Sequence, residues 1–236
     1  MKNWLKENRR KMNEELTDIT VRKNFSPSAY ALHQCLTGVI KQYAGGKLID
    51  IGCGDMPYKY LLKPRVTEYD TLDIERRAEG VKFMGSILDM HMIASEVYDT
   101  ALCIEVLEHV PNPFLAAKEV NRILRKGGFF ILSAPHLSRL HEEPHDYFRY
   151  TPYGIKAILE TNGFQIKYLE QTAGFFSFIG HQFSTAVNCL FWRVPVLKWV
   201  VFYLNMLFCV WPCYLLDRLL KMRVMPLGFV CVAEKK

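Results

Sequence analysis

The sequence predicts a doubly wound α/β fold, a mostly parallel sheet with helices on both faces. Three observations predict it. Short apolar runs alternate with segments of helical periodicity across residues 47–169, the order that builds parallel sheets. One run, Leu48-Ile49-Asp50-Ile51, passes directly into Gly52-Cys53-Gly54-Asp55, a turn whose missing β-carbons let the backbone approach a ligand closely. Two later helices open on cap signals, Asn112-Pro113 and Thr151-Pro152, which pair a side-chain acceptor with a ring already set at helical φ.

The elements follow in order. Residues 1–24 read as a charged, amphipathic helix that Ser26-Pro27 breaks, and a second helix over 28–43 ends at Gly45-Gly46. The first strand is 47–51. A helix near Pro57 carries Tyr60, Leu61 and Leu62. Strands are expected at 69–74, 81–85 and 100–106. The helix that starts at Asn112-Pro113 sets Phe114, Ala117, Val120 and Leu124 on one face, and Gly127-Gly128 is expected to close it. The fifth strand is 129–134, followed by a polar loop over 136–150. The Thr151-Pro152 helix stops at Asn162-Gly163, and the final strands are 164–169 and 228–233.

Composition narrows the class. The 236 residues are half hydrophobic and carry a formal net charge of +6, which suits one α/β domain with a small addition. Basic residues gather near the start (Lys2, Lys6, Arg9, Arg10, Lys11) and around an apolar C-terminal region (Arg193, Lys198, Arg218, Lys221, Arg223). Interleaving of charge with apolar runs favours anionic lipid over nucleic acid. The seven cysteines show no paired spacing, and Cys103 and Cys231 fall in strands, so buried free thiols in a reducing compartment are expected. The N-terminus lacks the apolar core of a signal peptide, and a cytoplasmic catalytic part is expected.

Asp73 ends the second strand about twenty residues beyond the glycine turn, the distance at which an acid reaches a ribose. Position 57 is Pro, where a pyrophosphate-binding turn has Gly or Ala. A nucleoside without phosphates therefore suits the turn better than a dinucleotide.

With these motifs in place the chain resembles a class I S-adenosylmethionine (SAM)-dependent methyltransferase from Leu48 to about Leu169 and again at the last strand. Residues 48–55 resemble its first motif, Thr71-Leu72-Asp73-Ile74 the ribose-binding motif, and Gly85-Ser86-Ile87-Leu88-Asp89 the adenine loop. Leu107-Glu108-His109-Val110-Pro111-Asn112-Pro113 and Leu124-Arg125-Lys126-Gly127-Gly128 resemble the segments after the fourth strand and before the fifth. The resemblance implies a Rossmann-like, seven-stranded, mostly parallel sheet and SAM as cofactor. It implies that Asp50 and the backbone of Gly52, Cys53 and Gly54 line the methionine end, and that Asp73 binds the ribose. By the same likeness Ile74 packs on adenine, Ser86 and Ile87 meet the adenine edge, and Ile104 belongs to the same pocket. Met56, Ser86 and Lys126 depart from the usual third glycine, Asp and Pro. Residues 54–58 and 145–151 resemble a subset associated with bacterial surface-glycan synthesis.

Methyl transfer from a sulfonium is an in-line displacement that depends mainly on positioning, and a hydroxyl acceptor also needs a base. His109, after the fourth strand, and His136, His141 and His145, after the fifth, are the candidates. His109 or His145 is the expected base. The structural alternatives are that His109 shapes its loop and that the later histidines belong to a solvated loop. Glu105, Glu108 and His109 form Glu-x-x-Glu-His, which resembles a pattern linked to a divalent metal in quinone-biosynthesis O-methyltransferases. The same letters also occur in relatives without a metal. Arg149 and Tyr150 either bind a phosphate or sugar or anchor the loop. Asp/Asn-Pro-Pro-Tyr/Phe, the signature of nucleic-acid amino methylation, is replaced here by Cys103-Ile104-Glu105-Val106, which argues against a nucleic-acid substrate.

Residues 194–216 form an apolar run long enough to span a bilayer, with Trp192, Trp199, Trp211 and Tyr214 of the interfacial kind. The run lies between two strands of one sheet, so it must return to the side it left. A monotopic or shallow hairpin on the cytoplasmic face of a membrane is expected, against the alternatives of a soluble cap or a dimer interface. The organisation is then N-terminal helices (1–44), a SAM-binding core (45–172), an apolar insertion (173–226) and a last core strand (227–236). The expected acceptor is a small or lipid-linked molecule near a membrane surface. The alternatives are a quinone precursor and a non-catalytic SAM-binding subunit. Oligomeric state is left open.

Overall fold

Strands buried on both faces need near-continuous apolar runs, and the chain comes nearest to them at β1 (Gly46–Ile51), β4 (Tyr98–Ile104), β5 (Leu124–Pro135) and β7 (Gly228–Lys235). In contrast, β2 (Val66–Asp73) is more polar and is buried only over its last four residues. A short β3 (Phe83–Met84) and β6 (Phe164–Thr172) complete seven strands, ordered β3-β2-β1-β4-β5-β7-β6. The pairs β1–β2, β1–β4, β2–β3 and β4–β5 are parallel, and β5–β7 is antiparallel. The computed structural model describes residues 2–15, 23 and 26–236. Within α1 (Lys2–Glu15) the side chains of Lys2, Asn3, Lys6, Arg9, Asn13 and Glu14 lie outside the described residues. So do three members of the N-terminal basic cluster and nearly all of the expected helix beyond Glu15.

The helices are α2 (Pro27–Tyr43), a single turn α3 (Lys59–Leu62), α4 (Pro113–Ile123), α5 (Pro152–Thr161), α6 (Phe175–Phe191), α7 (Pro195–Asn205) and α8 (Trp211–Leu220). Both predicted caps form: Asn112 Oδ1 accepts the Leu115 N–H at 3.1 Å and Thr151 Oγ1 accepts that of Gly154 at 3.1 Å. Each cap is worth about 0.5–2 kcal/mol. Ala116, Ala117, Val120 and Ile123 of α4 and Ile155, Ile158 and Leu159 of α5 join Ile49, Ile51, Phe130 and Leu132 of the sheet in the main core. Each large core side chain contributes about 1.5–3 kcal/mol.

Two local expectations are corrected. Gly127-Gly128 does not end the helix. Helix α4 stops at Ile123, and both glycines lie inside β5. A β-carbon on Gly128 would sit 2.9 Å from the Arg125 carbonyl oxygen and 3.1 Å from that of Asp99, so Gly128 permits close backbone approach, while Gly127 takes a left-handed turn at φ +77°. Phe114 is half exposed and not on the packed face. Pro113 and Ala116 face the core instead, which turns the buried stripe by one residue.

By its internal contacts the chain divides into two units, Met1–Gln34 with Gln171–Leu227, and Cys35–Glu170 with Gly228–Lys236. The second contains the sheet core. The first is helical, and a π-turn (Met206–Val210) joins α7 to α8. It buries a small apolar cluster of Met12, Cys189, Trp192 and Phe202, and with it an unusual set of polar side chains. The polar Ser177, Ser184, Asn188 and Asn205 are buried, whereas Phe183, Val196, Tyr203, Phe208 and Leu219 are exposed. Asn205 Nδ2 donates to Ser184 Oγ at 2.8 Å, and Cys209 Sγ lies 3.3 Å from the Gly180 carbonyl oxygen. At the other end Asp217 accepts the backbone N–H groups of Gly174, Phe176 and Ser177 at 3.0, 2.9 and 2.8 Å. Helix α6 and the 195–220 segment are thus a hairpin closed by a side-chain cap. All seven cysteines are free thiols.

Candidate active site

The order β2-β1-β4 reverses strand progression at β1, and such a switch point opens a crevice at the carboxyl ends of the strands. The glycine turn lies there. Gly52 has φ +66°, and a β-carbon on it would come within 2.4 Å of Val106 Cγ2. Only glycine suits that position, for reasons of fold. Gly54, φ +49°, would meet nothing within 4 Å, so its bare face borders open space. The Gly54 N–H donates to Asp73 Oδ2 at 2.8 Å, and the Glu75 N–H donates to Asp73 Oδ1 at 3.1 Å. The acid at the end of β2 is therefore held against the turn, with lone pairs to spare for ribose hydroxyls. Met56 stands at φ +55°. The backbone keeps the left-handed conformation that favours glycine, while the side chain is buried with Cys53 and Val81.

Asp50 is buried, and Tyr69 Oη donates to its Oδ2 at 2.6 Å. Burial raises the Asp50 pKa to about 7; the Tyr69 bond opposes that rise and the Asp73 charge adds to it. Ile74 is 68% exposed immediately beyond Asp73, an unusual place for a large apolar side chain and a ready platform for a flat heterocycle. Ser86 Oγ accepts the Leu88 N–H at 3.1 Å. Ile87 is buried in the main core, and so is the side chain of Cys53 in its own cluster, so either residue can meet a ligand only through its backbone. Ile104 is partly buried at the end of β4.

The histidines lie beyond β4 and β5. A 3-10 turn (Leu107–His109) is clasped by the following loop. The Tyr147 and Phe148 N–H groups donate to the Glu108 carbonyl at 2.8 and 3.2 Å, and Tyr150 Oη donates to the Leu107 carbonyl at 2.8 Å. His109 Nδ1 lies 2.7 Å from the His145 carbonyl oxygen, and His145 Nδ1 3.1 Å from Tyr147 Oη. His136 Nδ1 lies 2.9 Å from the Tyr150 carbonyl oxygen. Arg149 binds both oxygens of Asp146, at 2.5 and 2.7 Å, and its hydrogen bonds hold the Asp146 carboxyl well below the usual carboxylate range. Arg149 and Tyr150 are thus loop anchors. The Glu-x-x-Glu-His expectation divides: Glu105 Oε1 accepts the Ser133 hydroxyl at 2.8 Å, whereas Glu108 and His109 gather with His141. Sequence reasoning missed Tyr69 as partner of Asp50 and His141 as partner of Glu108. The spacing of each pair becomes visible only once β1–β2 register and loop path are known.

A family described as a methyltransferase domain matches residues 13–175. The chain belongs to that family. S-adenosylmethionine is its cofactor, and the bare glycine turn, the held Asp73 and the exposed Ile74 suit a nucleoside there. This methyltransferase is 26% identical over 136 residues to the ubiquinone biosynthesis O-methyltransferase of Paraburkholderia phytofirmans, covering 45% of this chain and 59% of that one. Against the enzyme of the same name from Azoarcus it is 28% identical over 103 residues, covering 38% and 44%. The chain spans about half the length of these curated relatives. A SAM-dependent methyltransferase from Mesorhizobium loti shares the fold at a TM-score of 0.56 and 15% identity, covering 87% of this chain and 98% of that one.

Proposed function

We propose that the protein transfers a methyl group from SAM to a hydroxyl of a membrane-proximal amphipathic acceptor, with a lipid-linked glycan or lipid head group as first choice. SAM supplies an electrophilic methyl on a sulfonium. In this reading Asp50 and the backbone of Gly52, Cys53 and Gly54 hold its methionine end. Asp73 takes the ribose hydroxyls, Ile74 and Ile104 border the adenine, and Ser86 with the Ile87 backbone meets the adenine edge. The chain's contribution is alignment, which supplies up to about 7–11 kcal/mol of such a barrier. Of the two base candidates, His145 keeps an exposed imidazole, whereas His109 is turned onto Glu108. The proton of the acceptor hydroxyl is therefore assigned to His145.

The observation that carries the membrane half is the apolar exterior of the hairpin. Residues Pro195–Leu220 form 26 helical residues, apolar and mostly unburied, about 39 Å of helix at 1.5 Å per residue against a hydrocarbon core of about 30 Å. Polar side chains face inward across α6, as in helix pairs that associate within lipid. The hairpin is inserted between strands that neighbour one another in the sheet, so the catalytic unit is tethered to whatever the hairpin enters. Both ends of the hairpin lie together, where Asp217 meets the start of α6, and Arg218, Lys221 and Arg223 beside them favour the cytoplasmic face. Arg193 and Lys198 instead lie by its turn and pair with Glu7 and Glu15.

A quinone precursor is the second reading, favoured by the names of the curated relatives. It too is a hydroxylated ring on an apolar tail. The experiment measures S-adenosylhomocysteine release by the detergent-solubilised protein with lipid extracts, lipid-linked glycans and prenylated phenols, after calorimetry with SAM. Turnover with one class selects the acceptor. SAM binding without turnover on any of them supports a scaffolding subunit, and a folded protein that does not bind SAM sinks the catalytic reading.

A further inference from the structure

Glu108 is fully buried, and neither of its carboxylate oxygens has a hydrogen-bond partner. A carboxyl group in that position is costly unless something else meets it. Two imidazoles face it. His109 Nε2 and His141 Nε2 each lie 3.7 Å from the same oxygen, Glu108 Oε1. That separation is too long for a hydrogen bond. The His109 and His141 rings stand edge to face with centroids 4.7 Å apart.

The opposite nitrogens fix the tautomers. His109 Nδ1 faces the His145 carbonyl oxygen at 2.7 Å. His141 Nδ1 faces the Arg139 carbonyl oxygen at 3.2 Å and Asp146 Oδ2 at 3.5 Å. Carbonyl and carboxylate oxygens only accept, so each Nδ1 carries the hydrogen in the neutral ring. Each Nε2 then presents its lone pair toward Glu108 Oε1. With Glu108 ionised, three acceptor atoms thus point at one another with no donor between them. Histidines whose outer N–H is tied to a backbone carbonyl or carboxylate are oriented as metal ligands are. Donor atoms around a cation at about 2.0–2.2 Å lie about 3.0–3.6 Å apart, close to the 3.7 Å from each imidazole to Glu108, and all three donors lie within 4.8 Å of one another.

We propose that Glu108, His109 and His141 bind one divalent first-row transition cation, with zinc the preferred ion. Two imidazoles and one carboxylate suit zinc or cobalt; magnesium takes oxygen ligands and keeps its waters. The ligand set joins the turn after β4 to the loop after β5, and it omits Glu105, which Ser133 holds. Three protein donors leave a coordination position for water or another oxygen. The inference does not depend on the acceptor proposed above.

The test uses the full chain, stripped with chelator and titrated separately with Zn²⁺, Co²⁺ and Mg²⁺. Elemental analysis and the visible absorption of the Co²⁺ form are the readouts. Expected are one Zn²⁺ or Co²⁺ per chain, a Co²⁺ spectrum with nitrogen ligation, and affinity reduced at least about tenfold by His141→Ala and by Glu108→Gln. Glu105→Gln is expected to bind the metal like the parent. SAM calorimetry on each variant verifies folding, and His141, on a surface loop, provides the test if Glu108→Gln does not fold. No stoichiometric binding of Zn²⁺ or Co²⁺ overturns the site, as does a preference for Mg²⁺. Full affinity in His141→Ala, or a loss in Glu105→Gln equal to that in His141→Ala, overturns the ligand assignment.

Discussion

Tyr69 donates its hydroxyl hydrogen to Asp50 across the β1–β2 pair at 2.6 Å. The bond belongs to a carboxyl that burial has raised to about 7, so its loss has a pH signature. A bond to a charged group is worth about 1.5–3 kcal/mol, about one to two pKa units. Asp50 is protonated in the fold below about 7 but ionised in the unfolded chain above the ordinary carboxylate value. Its contribution to stability is therefore present at low pH and lost as pH rises through about 7. If ionised Asp50 faces the cationic end of SAM, affinity rises across the same window. In Tyr69→Phe the rise should move upward by about one to two pH units, measured by calorimetry between pH 6 and 9. An unmoved profile would remove Asp50 from the SAM site.

The two turn glycines should fail differently. Gly52→Ala combines a left-handed backbone, about 1–2 kcal/mol, with a collision on Val106, and should lower the melting temperature of the ligand-free protein. Gly54→Ala carries the same left-handed cost but meets no protein atom, so it should melt above Gly52→Ala. Its methyl would enter the ligand's space, at about 1–3 kcal/mol, or roughly 5- to 150-fold in affinity. Equal effects of both variants on melting and on SAM binding would contradict this division.

Asp217 closes the hairpin by accepting three N–H groups at the start of α6. Asp217→Ala should cost at least about 1–2 kcal/mol locally. Hydrogen exchange is the measurement: faster exchange over 174–178 with unchanged exchange in β1 and β4 is expected. Uniform acceleration across the chain would show a global defect instead.

Phe208 is 72% exposed, so Phe208→Glu removes no internal packing. If its ring lies in lipid, the variant should float less with liposomes containing anionic phospholipid while melting normally. A parent protein that stays with the soluble fraction in the same gradient would remove the membrane reading altogether.

Periodicity and caps made the strands and both capped helices legible, because they depend on residues that are neighbours in sequence. Gly127-Gly128 was misleading for a definite reason. A glycine pair signals a helix end as readily as a close strand approach, and only the Arg125 and Asp99 carbonyl oxygens show which applies. Asp73 and Ile74 were legible because a strand end fixes what it presents. Tyr69 and His141 were not, since each acquires its partner through tertiary placement. The split between Glu105 and Glu108 depends on which acid Ser133 reaches, and Ser133 lies on a different strand.

The hairpin also sets an order of events. β7 sits between β5 and β6, yet it follows the hairpin in sequence. As the chain leaves the ribosome, β5 and β6 are made first and cannot yet be joined. At about 5–20 residues per second, residues 173–226 take roughly 3–11 s to emerge. During that interval the sheet has a gap one strand wide, and two edges are open to wrong pairing. The enzyme core therefore becomes whole only after its apolar arm has been synthesised and accommodated, which makes disposal of the hairpin a step in building the active site.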